Sequence, residues 1–158
     1  MKEILSFWML WLSIACCNAK TGQEIKFSPT PGVVAVIAID GNLVSINICG
    51  GRKCNNTEGN LYVGNPGSVN LGVGDYNFDG NTDFSLWYLD EGKGTYTIHR
   101  IFLFSKSAGR FGEYLPACGD EFVNLKVDKK NRRLISTYWA DNEPKVCFTY
   151  PQENHNGK

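Results

Sequence analysis

The sequence predicts an all-β protein, an antiparallel meander arranged either as a small sandwich or as propeller-like sheets. Two observations support this class. β-branched and aromatic residues recur with a period of two in several short runs. Clusters of Gly, Asn, Asp and Pro separate the runs at short intervals, as turns require. No stretch longer than a turn has helical spacing, and strands joined by short loops pair antiparallel, which leaves both arrangements open.

The first nineteen residues have the pattern of a targeting segment. An apolar run over residues 4–15 is too short to span a bilayer but matches the core of a signal peptide. Small residues precede Lys20, so we expect residues 1–19 to be a signal peptide and the product to be secreted or periplasmic. An alternative cleavage before Cys16 would give a lipid-anchored protein, such as an outer-membrane lipoprotein.

The charge balance argues against nucleic-acid and anionic-membrane partners. The chain has 16 basic and 16 acidic residues, so it lacks the electropositive surface that such partners require. A membrane contact is expected only through a lipid anchor at Cys16. Residues 20–150 are long enough for one domain with a sizeable core, and the polar residues 151–158 are predicted to be a flexible tail.

Four cysteines follow the signal segment. An even number in an exported chain indicates disulfides rather than a metal cluster, and a zinc site would need closer pairs with histidines nearby. Three pairings are open; we favour one bond closing a short Gly-Gly-Arg-Lys loop and one tying a late loop to the last strand. These bonds join Cys49 to Cys54 and Cys118 to Cys147.

The first half of the chain contains a predicted hairpin. Residues 33–40 and 43–48 are β-branched runs separated by Gly41 and Asn42, a strong two-residue turn signal. Short extended pieces are expected at residues 24–28 and 60–63. A stretch rich in Gly, Asn and Pro, residues 64–74, is predicted to cross to the next sheet without regular structure.

The second half reads as five further strands. Residues 84–89 and 95–104 flank a turn at 92–94, and the latter strand has apolar residues on both faces, so it should be central. A glycine-rich loop is expected over 105–120. Three short strands follow at 122–127, 134–139 and 145–150, with turns at 129–131 and 140–144.

Residues 75–83 form the most specific motif in the chain. Side-chain oxygens occur at loop positions one, three, five and nine, and Gly80 occupies position six. Calcium takes six to eight oxygen ligands, and alternate residues of a curling loop direct their side chains to one point. The predicted ligands are Asp75, Asn77, Asp79, Asn81 through its carbonyl, and Asp83. Leu86 replaces the bidentate Glu of an EF-hand, and a plain Asx-rich turn without an ion is the alternative.

This loop resembles the D-x-N-x-D-G-x-x-D calcium hairpin of FG-GAP and integrin-like repeats. The later order, with strands at 96–104, 122–127 and 133–138, resembles the periplasmic immunity proteins that inhibit peptidoglycan hydrolases of bacterial-killing type IV secretion systems. The resemblance implies a propeller-like β-fold with a structural calcium ion, often in a lipoprotein. It also implies a peptidoglycan hydrolase as the protein partner.

We expect a binding or inhibitory protein and not an enzyme. The histidines are poor catalytic candidates: His99 lies mid-strand, where it should be a satisfied sheet residue, and His155 lies in the tail. Three acidic residues near Cys118 could supply the carboxylate pair of a glycosidase: Glu113, Asp120 and Glu121. Charged loop residues are usually just solvated, so a glycan-active enzyme is the least favoured alternative.

An inhibitor needs rigid projections that enter a partner's cleft. The two candidate loops, 50–53 and 105–120, carry Arg and aromatic residues, the usual energetic anchors of interfaces. The predicted partner-binding residues are Arg52, Arg110, Phe111 and Tyr114. A cell-surface adhesion or scaffold module with a structural calcium ion is the other alternative, although such proteins repeat the loop and this chain has it once.

Overall fold

A computed structural model describes residues 22–60, 69–90 and 96–151. The predicted signal peptide, Cys16, the turn at 92–94, most of the extended piece at 60–63 and residues 152–158 of the predicted tail lie outside the described residues. Within these three ranges the chain is all β, and no helix with the length and apolarity of a membrane span is found there.

Eleven strands are described. They are β1 Gln23–Phe27, β2 Val33–Asp40, β3 Leu43–Gly50, β4 Lys53–Asn60, β5 Asn70–Gly74, β6 Asp83–Leu89, β7 Thr97–Ser105, β8 Arg110–Tyr114, β9 Phe122–Asp128, β10 Arg133–Ala140 and β11 Glu143–Thr149.

The smaller sheet is a four-stranded antiparallel meander in the order β1-β2-β3-β4. The predicted hairpin is confirmed, because Asp40 pairs with Leu43 and leaves Gly41 and Asn42 as the turn. Gly41 has φ +59° whereas φ of Asn42 is not positive, which is the type II′ geometry that matches strand twist. Gly51, with φ +60°, begins an equivalent two-residue turn between β3 and β4.

The larger sheet has the order β11-β10-β9-β7-β6-β5, with β8 also paired to β7. β7 is central as predicted: β6 pairs along one edge, and β9 and β8 pair with successive parts of the other. The hairpin between β10 and β11 has Asp141 and Asn142 as its turn, both with positive φ. This is the type I′ turn, which short polar residues tolerate best.

The two sheets pack face to face across an apolar core. Ile37 and Val44 of the smaller sheet and Phe84 and Leu86 of the larger sheet are buried in one cluster. Phe84 stacks on Phe102 with ring centroids 4.6 Å apart. Of the two arrangements left open by the sequence, the described residues therefore form the sandwich.

A second core lies on the opposite face of the larger sheet. Ile101, Phe122 and Leu134 are buried there, and the side chains of Tyr76 and Phe78 pack against them. Both faces of β7 are thus covered, one by the smaller sheet and one by residues that include the 75–83 loop. This packing fixes the loop on the sheet rather than leaving it as a free connection.

Two strands, β5 and β8, occur where the sequence predicted irregular structure, and a third, β4, occurs where it predicted no element. β4 is exposed along its whole length and shows no apolar alternation; it is a strand because every residue from Lys53 to Asn60 pairs with β3. β8 interrupts the predicted 105–120 loop and buries mainly Phe111. β5 forms the last part of the 64–74 connection, which was predicted to have no regular structure. There a Cβ on Gly72 would lie 3.1 Å from the Ser85 hydroxyl, so glycine permits the close approach.

The C-terminal boundary also differs from the prediction. Pro151 was assigned to the flexible tail, but it is fully buried. Next to it, the fully buried Thr149 accepts a hydrogen bond at Oγ1 from the Ala117 amide, 2.9 Å away. Pro151 therefore belongs to the packed domain.

Candidate metal centre

The 75–83 loop connects two paired strand ends. Gly74 of β5 is opposite Asp83 of β6, so the residues between them must reverse the chain within one ladder. Two residues with positive φ make this reversal: Phe78 at +61° and Gly80 at +85°. Gly80 adopts this conformation without steric cost, as the sequence predicted. Phe78 is held there because its side chain is in the second core and its carbonyl accepts a hydrogen bond from Arg132 Nη2.

The side chains of the loop cap its own backbone amides. Asp75 accepts hydrogen bonds from the amides of Asp79 (3.1 Å) and Gly80 (2.9 Å). Asn77 Oδ1 accepts from the Asp79 amide at 3.2 Å, and Asp79 Oδ1 accepts from the Asn81 amide at 2.7 Å. These successive Asx turns bend the loop around the side chains that were predicted to be ligands.

Asp83 joins the loop to the sheet. It has no exposed surface, and its two oxygens accept hydrogen bonds from the amides of Tyr76 at 2.9 Å and Phe104 at 2.8 Å. Burial raises the pKa of Asp83 to about 6, against these two hydrogen bonds, and the negative charges of Asp79 and Asp75 raise it further. The repulsion from two nearby carboxylates is of the kind that a bound cation removes.

The donors of the loop suit calcium chemically. All five are carboxylate, amide or carbonyl oxygens, the ligands that this hard cation prefers. An oxygen that accepts one amide hydrogen bond retains a second lone pair for an ion. The same holds for Asp79 Oδ2, which accepts a hydrogen bond from Asn77 Nδ2 at 2.9 Å. In the described part of the chain, no three Asp, Glu, His or Cys side chains are already gathered for a metal.

Both favoured disulfides are present. Cys49 is bonded to Cys54 and Cys118 to Cys147, with Cα atoms 4.1 Å and 5.9 Å apart. The first joins directly opposed residues of β3 and β4 beside the hairpin tip. The second fastens the loop after β8 to the edge strand β11. The two favoured disulfide pairings are therefore confirmed.

The predicted partner-binding residues do not form one group. Arg52 occupies the exposed tip of the β3–β4 hairpin, and Arg110 is exposed at the start of β8. Phe111 instead belongs to the sandwich core, where its ring contacts Phe84 with centroids 4.9 Å apart. Tyr114 packs against the second core. The unrecognised strand β8 thus turns the partly buried Phe111 toward the core, and its role in partner binding stays a prediction.

The acidic residues considered for glycan chemistry lie in one cleft. Glu113, on β8, and Asp120 and Glu121, before β9, line it together with Arg100 and His99. His99 differs from its predicted role as a satisfied sheet residue, since its Nδ1 is buried without a hydrogen-bond partner. The bidentate ion pair between Arg100 and Glu113 gave no sequence signal, because the two residues are brought together only by the pairing of β7 with β8.

Comparison with known proteins identifies no relative. No protein-family model matches the chain, and no curated protein or solved structure is significantly similar to it.

Proposed function

We propose that this chain is a calcium-stabilised, exported binding protein, secreted or periplasmic. The observation that carries the proposal is the double role of Asp83, which is buried in the candidate metal loop and accepts a hydrogen bond from the β7 amide of Phe104. An ion held by the 75–83 loop would neutralise the carboxylates at this junction. It would thereby stabilise the strand that both cores share.

Within that function, we propose inhibition of a cell-wall hydrolase through one end of the sandwich. The tips of β3–β4 and β7–β8 lie at this end, because Ile48 and Phe104, next to the two tips, are buried in one cluster. The two tips carry four basic residues and no acidic ones in 50–53 and 105–110. We call this surface the basic end; it consists of Arg52, Lys53, Lys106 and Arg110.

The chemistry of the basic end complements the active site of a glycan hydrolase. Most glycosidases use a pair of carboxylates flanking the bond that they cleave. Arg binds carboxylates in a bidentate manner and is a frequent hot-spot residue. The Cys49–Cys54 disulfide lies one residue pair below the tip that presents Arg52, so little conformational freedom is lost on binding. The resemblance to hydrolase-inhibiting immunity proteins supports the same partner class.

Calcium binding is tested by calorimetric titration of the mature protein with CaCl2. We expect a single site with Kd in the range of about 10⁻⁴ to 10⁻³ M, as for extracellular modules. Asp79→Ala should abolish the heat, whereas Asp40→Ala, which removes an exposed carboxylate outside the loop, should leave it unchanged. Absence of binding by the unmutated protein would refute the metal role.

Inhibition is tested separately with purified peptidoglycan hydrolases of the glycosidase class and isolated cell walls. Near-equimolar protein should suppress wall lysis by one of them, and Arg52→Ala combined with Arg110→Ala should raise the required dose at least tenfold. The matched control removes two exposed lysines from the β9–β10 turn, Lys129→Ala with Lys130→Ala. Equal potency of the two double variants would exclude the basic end as the inhibitory surface.

A further inference from the structure

A cleft of about 280 Å³ lies on the larger sheet, and its lining includes no residue of the candidate metal loop or of the basic end. Its walls come from the four strands β6 to β9 and the segment between β8 and β9. The residues that matter for its chemistry are Tyr88, Arg100, Glu113, Tyr114, Asp120 and Glu121. They come from β6, β7, β8 and the segment after Cys118, so the cleft exists only in the folded sandwich.

The polar groups of the cleft are held in place. Arg100 Nε and Nη2 donate to the two oxygens of Glu113 at 2.6 and 2.8 Å, and the guanidinium lies 5.6 Å from the centroid of the Phe102 ring. Tyr88 Oη donates to Glu121 Oε1 at 3.5 Å. The Cys118–Cys147 disulfide anchors the loop that supplies Asp120 and Glu121. A ligand would therefore meet a preorganised ion pair of Arg100 with Glu113, beside the exposed carboxylates of Asp120 and Glu121.

The cleft has an excess of negative charge. Arg100 is matched by Glu113, whereas Asp120 and Glu121 have no cationic counterpart among the lining residues. His99 adds no positive charge near neutral pH, since burial lowers its pKa to about 4. The lining therefore carries a formal charge of about −2 in a concave site with tyrosine walls, which concentrates cations.

We propose that this cleft binds an organic cation, a guanidinium or alkylammonium group, between Tyr88 and Tyr114 and against the carboxylates of Asp120 and Glu121. Aromatic faces attract such cations, and carboxylates supply charge-assisted hydrogen bonds. A neutral sugar would use the aromatic walls but not the excess charge. The Arg100–Glu113 pair also lines the cleft, but its charges compensate each other.

The two sources of such a group are a side chain of another protein and a free small amine. The chemistry of recognition is the same, and the experiment separates them. The proposal does not depend on calcium or on hydrolase inhibition, because the cleft uses other residues and the opposite charge from the basic end. Its failure would leave the proposed function unaffected.

The test is a ¹H–¹⁵N correlation titration of the full mature protein. The probes are arginine amide, 1,5-diaminopentane, the peptide acetyl-Ala-Arg-Ala-amide, and N-acetylglucosamine as the neutral probe. At millimolar concentration the cations should change the amide chemical shifts of residues that line the cleft. Their affinity should fall when salt is added, and they should bind at least tenfold more tightly than the sugar. If the peptide binds at least tenfold more tightly than the free amines, the site is assigned to a side chain of another protein. If the free amines bind at least tenfold more tightly than the peptide, it is assigned to a small amine.

Asp120→Asn combined with Glu121→Gln should lower the affinity for cations at least tenfold. The control combines Asp40→Asn with Glu58→Gln, which makes the same charge change on the smaller sheet. The mutated residues are exposed, so folding is checked by an unchanged thermal midpoint. The proposal is overturned if both double variants bind cations equally, or if the sugar binds as well as the cations.

Discussion

The buried carboxylate of Asp83 makes the stability of the calcium-free protein depend on pH in an unusual direction. Its pKa is about 6 in the folded chain, above the ordinary value of 3.8, because burial disfavours the charged form. An acid whose pKa is raised by folding binds more protons in the folded state between these values. Ionised Asp83 therefore destabilises the fold near neutral pH, and the penalty is relieved as the pH falls through 6.

The size of the effect follows from the two pKa values. A difference from 3.8 to about 6 corresponds to a penalty of about 3 kcal/mol at pH 7. Protonation of the folded state should recover roughly 1 kcal/mol of this between pH 7 and pH 5. Asp83→Asn removes the titration. The variant also loses one hydrogen bond at all pH values, at a cost of about 1–3 kcal/mol, because its amide cannot accept from both Tyr76 and Phe104. At pH 7 this cost is offset by the charge penalty that the substitution removes.

The measurement is urea unfolding in chelator at pH 5, 6 and 7 for both proteins. The free energy of unfolding of the unmutated chain should rise relative to that of the variant by about 1 kcal/mol as the pH is lowered from 7 to 5. Other titrating groups are common to both chains and cancel in the difference. Parallel pH profiles for the two proteins would refute the role assigned to Asp83.

Three further predictions concern the fold. Phe84→Ala removes a fully buried ring stacked on Phe102 and should lower the free energy of unfolding in urea by about 3–5 kcal/mol; a loss below 1 kcal/mol would contradict that packing. Replacing Cys118 and Cys147 by Ala should lower the free energy of unfolding by about 3–4 kcal/mol, against about 2 kcal/mol for the other pair, because the bonded cysteines are 29 rather than 5 positions apart in the sequence. The opposite order in urea melts would refute this. Asn142 has a positive φ, so Asn142→Ala should introduce about 1–2 kcal/mol of backbone strain and lower the thermal midpoint. Asn142→Gly should not lower it.

The sequence predicted those elements whose local and tertiary signals agree. The β2–β3 hairpin has β-branched runs, a Gly41-Asn42 turn and a buried face, and all three are present in the structure. The central position of β7 followed from apolar residues on both faces. Disulfide formation was predicted from the even number of cysteines and from the expected export of the protein. Such features can be predicted without knowing which residues distant in the sequence they contact.

The strands that the sequence missed depend on their neighbours. β4 has no apolar alternation, so nothing local marks it; its ladder partner and the Cys49–Cys54 bond define it. β8 exposes most of its residues, and its register places Phe111 in the core. The cleft was missed for the same reason, since Arg100 and Glu113 meet only after β7 and β8 pair.

The polar composition of β4 has a consequence for self-association. An unpaired strand edge is a template on which other chains add and aggregate. β4 forms one edge of the smaller sheet, and all eight of its residues are exposed, including Lys53 and Glu58. A new strand docking there would have to desolvate these groups without gaining an apolar contact. The edge therefore protects the protein from templated growth, and replacing Asn55 and Thr57 with valine should create an aggregation-prone surface.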